Sequence, residues 1–273
     1  MKKIISAFDA LKLSDSTKDY SLYLAKELPA IITGIFVEDQ TQHNADTLVR
    51  TIGETKKINA SHKKDRKEVI KAFETSCKEA RINYAVFRDN QAPIHELLHE
   101  SIYADLLVIN VNETFTQYPT VPPARSIRQL LAETQCPVFI APEVYKPVNK
   151  IILLYDGSPS SVYAIKIFNY LFKNINQLEI EVVSVKPNDD DLLISNGRLI
   201  REFMNRQYPQ ATYTMLNGKP EEAIPEYIAR QKDNAIVVMG GYQRSSVLRS
   251  FKVTLTDALM RNLKSPLFIA FNK

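Results

Sequence analysis

The sequence predicts an α/β protein made of two consecutive domains that share one fold. Three observations carry this prediction: a length of 273 residues, short apolar runs that alternate with amphipathic stretches, and the recurrence of those runs in both halves. A chain of this length accommodates two domains of ordinary size. Strands that alternate with helices form a parallel sheet with helices on both faces.

The internal repeat is visible in the residues themselves. Residues 3–9 (KIISAFD) recur as residues 150–156 (KIILLYD), and residues 136–141 (CPVFIA) recur as residues 265–270 (SPLFIA). The same elements recur in the same order, which indicates a duplication.

Each copy contains the same series of predicted elements, because its apolar runs are β-branched and nearly continuous, as in strands buried on both faces. In the first copy we predict strands at 2–8, 31–37, 84–88, 105–110 and 137–141. In the second copy we predict strands at 150–155, 178–185, 211–216, 235–239 and 266–271, and helices at 160–172, 190–208, 220–231 and 252–262. The domains are then residues 1–142 and 149–273. The first copy also has a polar segment, residues 38–63, which we expect to be a mobile or partner-facing excursion.

Composition limits the classes of partner. A formal charge of +4 is small for this length and gives little support for nucleic-acid binding. No stretch approaches 18 uninterrupted apolar residues, and the opening segment is not typical of a signal peptide. Cys77 and Cys136 do not make a disulfide framework. We therefore expect a cytoplasmic protein with reduced thiols, no membrane partner and no nucleic-acid partner.

Two segments of the second copy carry a family resemblance. Residues 155–161 (YDGSPSS) precede a helix, and residues 239–246 (MGGYQRSS) follow the fourth strand. Together with residues 265–269 (SPLFI), they resemble the universal stress protein family. The resemblance covers both copies and implies a Rossmann-like, adenine nucleotide alpha hydrolase-like fold. Each copy would be a five-stranded parallel sheet of order 3-2-1-4-5, with ligands beyond the carboxyl ends of the strands where that order reverses.

ATP-binding members of this family carry a glycine, two residues, a second glycine, nine residues, and a third glycine followed by Ser or Thr. Counted from Gly240, the second and third glycine positions fall on Gln243 and Val253, and the hydroxyl falls on Thr254. Glycine lets backbone N–H groups converge on phosphate, and a Cβ at either position obstructs that approach.

Neighbouring residues could compensate in part, since Gly241 adds flexibility and Arg244 attracts an anion. The resemblance thus implies weak or no ATP binding, and Mg-ATP is the only cofactor that it suggests. The alternative is that this loop is a scaffold loop that docks on another domain. The candidate nucleotide-binding residues of the second copy are Asp156, Gly157, Gly240, Gly241, Gln243, Arg244, Val253 and Thr254.

The first copy lacks the features of a phosphate loop. Residues 110–123 contain no glycine and several prolines, which cannot donate an N–H. Asp9 is the counterpart of Asp156, and both end a first strand. The resemblance allows either aspartate to contact a nucleotide; the alternative is that each caps the turn or helix that follows.

His95, Glu96 and His99 match the H-E-x-x-H pattern of zinc hydrolases. We expect a surface helix here, with Leu97 and Ile102 in its buried stripe, and no catalytic zinc. A zinc-dependent hydrolase remains a remote alternative.

The sequence therefore favours a non-catalytic stress-response module for binding or interaction. An ATP-binding regulator that uses only the second copy is the alternative. We expect the two copies to pack as an intramolecular pseudo-dimer, because their fifth strands lie at sheet edges that need covering. A homodimer is a further alternative, and the sequence does not identify a protein partner.

Overall fold

The computed structural model describes residues 1–37, 52–87, 94–115, 122–186, 197–241 and 254–272. The chain divides into two compact units, Met1–Cys136 and Pro137–Lys273. Both units alternate strands with helices, so the predicted α/β class is confirmed. Among the described residues, no helix is long and apolar enough to cross a membrane.

The first unit contains a parallel sheet of four strands. The strands are β1 (Lys2–Asp9), β2 (Ala30–Val37), β3 (Tyr84–Val86) and β4 (Leu106–Asn110). Their order is β3-β2-β1-β4. The helices are α1 (Asp15–Glu27), α2 (Ile52–Glu79), α3 (Ile94–Ser101) and α4 (Arg125–Glu133). Helix α2 begins inside the segment predicted as an excursion, whose residues 38–51 lie outside the described residues.

The second unit contains the predicted order 3-2-1-4-5. Its strands are β5 (Val138–Ala141), β6 (Lys150–Leu154), β7 (Glu179–Lys186), β8 (Thr212–Asn217), β9 (Ala235–Gly241) and β10 (Leu267–Phe271). The parallel strands run β8-β7-β6-β9-β10. The helices are α5 (Pro159–Leu171), a 3-10 turn (Lys173–Gln177), α6 (Gly197–Gln207), α7 (Pro220–Ala229) and α8 (Leu255–Arg261).

Strand β5 pairs with β10 in a way that the sequence did not predict. It is the segment predicted as the fifth strand of the first copy, and it falls in the second compact unit. There it pairs antiparallel with β10, with Phe139 opposite Phe268. The reason is physical: β10 would otherwise present the unpaired N–H and C=O groups of an apolar edge strand.

Each core is built around a cluster of phenylalanines. In the first unit, Phe73 of α2 contacts Phe8 of β1 and Phe36 of β2, with ring centroids 5.5 and 5.9 Å away. In the second unit, Phe168 of α5 lies 5.2 Å from Phe268 of β10. These rings are almost completely buried, so they fix the helices on the sheet faces.

Helix α5 comes very close to the end of β9. A Cβ built on Gly240 would lie 2.6 Å from the backbone carbon of Ser160 and 2.7 Å from its carbonyl oxygen. The Ser160 hydroxyl donates a hydrogen bond of 3.1 Å to the carbonyl oxygen of Gly241. The missing side chain at Gly240 therefore allows the first turn of α5 to pack on β9.

A buried ion network lies at the opposite end of the second sheet. Lys150 Nζ lies 2.9 Å from Glu181 Oε2 and 2.9 Å from Glu179 Oε1. Glu181 Oε1 accepts hydrogen bonds from Thr214 and from the Tyr227 hydroxyl, the latter at 2.6 Å. Burial raises the pKa of Glu181, but these three donors outweigh it and hold the pKa below its ordinary value. The network joins β6, β7, β8 and α7.

We predict that Glu181→Gln lowers the free energy of unfolding by about 3 kcal/mol, because it leaves a buried ammonium without its buried counter-charge. The matched control is Glu179→Gln, which removes the exposed partner of the same Lys150 and should cost less than about 1 kcal/mol. Urea unfolding followed by circular dichroism measures both. Equal losses in the two variants would contradict the assignment.

We also predict that Gly240→Ala lowers the free energy of unfolding by about 2 kcal/mol without any nucleotide present, because backbone atoms of Ser160 have to move away. Ala229→Gly, at an exposed position of α7, serves as the control and should cost no more than about 1 kcal/mol. Unchanged stability in Gly240→Ala would show that this glycine is not needed for packing.

Candidate functional site

The candidate site of the second unit lies at the carboxyl ends of β6 and β9. These neighbouring parallel strands are where the strand order reverses, since β6 leads to β7 on one side and β9 leads to β10 on the other. Ligands of open α/β sheets bind at such a position. Asp156 and Gly157 follow β6, while Gly240 and Gly241 end β9. The fold thus brings four predicted site residues to one edge.

The turn after β6 uses its own side chains as hydrogen-bond acceptors. Asp156 Oδ1 accepts from the backbone N–H of Ser158 at 2.9 Å. Gly157 has a φ of 81°, a conformation that favours glycine. Ser158 is the N-cap of α5, and its hydroxyl oxygen accepts from the N–H of Ser161 at 3.2 Å. The sequence YDGSPSS is therefore a turn and helix start, with proline in the first turn of the helix.

Asp156 carries a stable negative charge at this edge. Desolvation acts to raise its pKa, but hydrogen bonds from Ser158 and Ser161 outweigh desolvation and hold the pKa below the ordinary value. The side chain is exposed. It therefore presents an ionised acceptor, which suits hydroxyl or amino donors and repels phosphate.

Thr254 begins α8 and caps it. Its hydroxyl oxygen accepts from the N–H of Asp257 at 3.2 Å. Asp257, in the first turn, is only 7% exposed. The predicted phosphate-binding hydroxyl thus stabilises its own helix, next to a carboxylate. Gln243, Arg244 and Val253 lie outside the described residues.

The corresponding edge of the first unit is built differently. Asp9 ends β1 and accepts from the N–H of Leu11 at 2.7 Å, so it caps its turn as Asp156 does. Glu113, which follows β4, is 8% exposed, and its carboxyl group accepts from the backbone N–H groups of Asp9 and Phe115. Sequence reasoning missed Glu113, because a lone acid in a loop gives no signal of burial.

The H-E-x-x-H segment forms most of α3 as expected. His95 is exposed and lies 3.5 Å from the Glu96 carboxylate, while the His99 ring contacts Tyr103 at 5.9 Å between centroids. The buried stripe was partly wrong: Leu97 is buried, but Ile102 is 53% exposed because α3 ends at Ser101. No group of three potential metal ligands occurs among the residues that the structure describes.

No protein-family model matches the chain, and no curated protein matches it either. Solved structures do. A universal stress protein from Archaeoglobus fulgidus DSM 4304 superposes with a TM-score of 0.73 at 16% identity, covering 98% of this chain and 98% of that chain. A universal stress protein from Pseudomonas aeruginosa UCBPP-PA14, described as putative, has a TM-score of 0.65 at 11% identity, covering 99% and 93%.

A third match extends the range of proteins that use this architecture. The cytoplasmic domain of a prokaryotic cation chloride cotransporter has a TM-score of 0.54 at 10% identity, covering 98% of this chain and 94% of that chain. At such identities the likeness establishes fold and leaves activity open. The chain therefore has the fold of the universal stress proteins over nearly its whole length, as its strand ends and repeats predicted.

Proposed function

We propose that this chain is a universal-stress-protein-type module that works by binding or interaction, without catalysis, and that binds ATP weakly or not at all. The observation that carries the proposal is the state of the backbone donors at the two sheet edges. In both units, N–H groups near the expected phosphate position already donate to side chains of the chain itself. A phosphate would have to displace those acceptors.

In the first unit the acceptor is the Glu113 carboxyl group, which takes the N–H groups of Asp9 and Phe115. An anionic ligand at the end of β1 would therefore meet carboxyl groups where it needs donors. Phosphate-binding loops contain glycines, and the segment after β4 has none. We therefore propose that the first unit does not bind nucleotide phosphates.

In the second unit the acceptors are Asp156, Ser158 and Thr254. They occupy the N–H groups of Ser158, Ser161 and Asp257, respectively. The helix N-termini that could favour an anion thus have their first donors satisfied internally, and Asp156 adds negative charge.

The alternative, an ATP-binding regulator that uses only the second unit, is favoured by one observation. Gly240 and Gly241 end β9 directly beside β6, and the exposed Asp156 could accept hydrogen bonds from the hydroxyl groups of a nucleoside. The close packing of Gly240 on Ser160 explains why a glycine is needed there without any ligand. We therefore place this alternative second, and a zinc hydrolase third.

Pseudo-dimeric packing of the two copies and action in the cytoplasm are further parts of the proposal. The first rests on the sequence alone, because the fifth strand of each copy is expected at a sheet edge that needs covering.

We predict that calorimetric titration of the wild-type chain with Mg-ATP gives little heat. The Gln243→Gly, Val253→Gly double variant should gain affinity by roughly 10- to 100-fold. The reason is that removing two Cβ atoms lets backbone donors approach phosphate, and a hydrogen bond to a charged group contributes about 1.5–3 kcal/mol.

The matched control is Gln210→Gly, in the exposed turn before β8, which should gain nothing. Tight binding by the wild type that is lost in Asp156→Asn would establish the ATP-binding alternative. Tight binding that survives Asp156→Asn would place the nucleotide elsewhere. Stoichiometric zinc that disappears in His99→Ala would support the third possibility.

A further inference from the structure

Glu113 lies in a short turn at the carboxyl edge of the first unit. Its backbone N–H donates to the carbonyl oxygen of Asn110 at 3.1 Å, and the N–H of Asn112 donates to Asn110 Oδ1 at 2.8 Å. The segment 111–115 is thereby folded back from the end of β4. Phe115 closes it with a φ of 55° and is 4% exposed.

Glu113 connects three parts of the unit. Its carboxyl group accepts from the N–H of Asp9 at the end of β1 and from the N–H of Phe115 in its own segment. Its carbonyl oxygen accepts from the Ser126 hydroxyl of α4 at 3.2 Å. The buried Glu113 side chain therefore attaches the segment to the end of β1.

The charges around Glu113 act mainly against its ionisation. Burial first, and then the Asp9 carboxylate, raise the pKa of Glu113 to about 7, while the two backbone hydrogen bonds and the Lys12 ammonium lower it. Asn110 of β4 and Ser126 of α4 face the segment as neutral groups, and Arg125 is exposed. Glu113, which is buried, and Asp9, which is half-buried, thus carry like charges close together when both ionise.

We propose that Glu113 is a proton-operated latch: while it carries a proton it holds segment 111–115 against the end of β1, and when it ionises beside Asp9 it releases that segment. The latch would act in the first unit only, and it does not depend on whether the second unit binds a nucleotide.

The direction follows from proton linkage. The closed segment binds the proton more tightly than the open one, in which a glutamate has its ordinary pKa. Closure is therefore most stable below pH 4.5 and loses stability as the pH rises through about 7. If the open form has the ordinary value of 4.5, the shift to about 7 reduces closure by up to about 30-fold between pH 5.5 and 8.0.

Hydrogen exchange of the full chain, expressed as protection factors and followed by mass spectrometry, tests the latch. We expect amides of residues 111–115 to lose up to about 30-fold protection between pH 5.5 and 8.0. Glu113→Gln, which keeps the shape and removes the charge, should show no such loss. Asp9→Asn keeps the oxygen that caps the Leu11 turn and should make the loss smaller and end it at a lower pH, because removing the neighbouring charge brings the pKa of Glu113 closer to its ordinary value.

The matched control is Glu133→Gln, an exposed acid on α4, which should behave as the wild type. Constant protection in the wild type, or an equal loss in Glu113→Gln, would overturn the latch. If Glu113→Gln does not fold, carbon-13 NMR of the assigned wild-type chain decides the question. A Glu113 carboxyl midpoint near 7 supports the latch, and one near 4.5 refutes it.

Discussion

The structure depends on strands that are buried on both faces. Every residue of β6 and of β4 is buried, so their backbone groups have to find partners within the sheet, and their side chains have to be packed by helices. The side chains that can contact a ligand are then those at the strand ends. At those ends the chain must also satisfy the first N–H groups of the following helices, and the side chains that do so are the same ones that a ligand would need.

The two copies resolve this competition differently. Both begin α-helices with a serine N-cap, Ser14 and Ser158, and both place a nearly buried serine in the next turn, Ser16 and Ser160. After the fourth strand they diverge. The second copy has no side chain at Gly240 and brings its helix against the sheet, whereas the first keeps Asn110 and brings in the Glu113 carboxyl group. The carboxyl edges of the two sheets, which correspond to each other in the repeat, therefore differ in their electrostatics.

Strand positions could be predicted closely because burial on both faces leaves a continuous apolar signature. The ranges expected for the second copy agree with β6 to β10 within two residues, and proline at the start of α7 marked that helix correctly. Contacts between residues far apart in the sequence were harder to predict, because local sequence patterns carry no trace of them. The roles of Glu113, of Ser160 and of the Lys150–Glu181 pair all depend on such contacts. The pairing of β5 with β10 could not be predicted for the same reason, since it is decided by a strand 129 residues later.

That pairing has a consequence for how the protein is made. Phe139 of β5 meets Phe268 of β10, so the ribosome adds 129 residues between the synthesis of the two. At 5–20 residues per second this interval is on the order of 10 s, far longer than the time in which collapsed chains explore contacts. The high sequence separation of this contact makes it a late step, and the apolar edge of β5 has to avoid other nascent strands until then. The four residues of β5, near the middle of the sequence, thus lack this partner until residues 267–269 have been made.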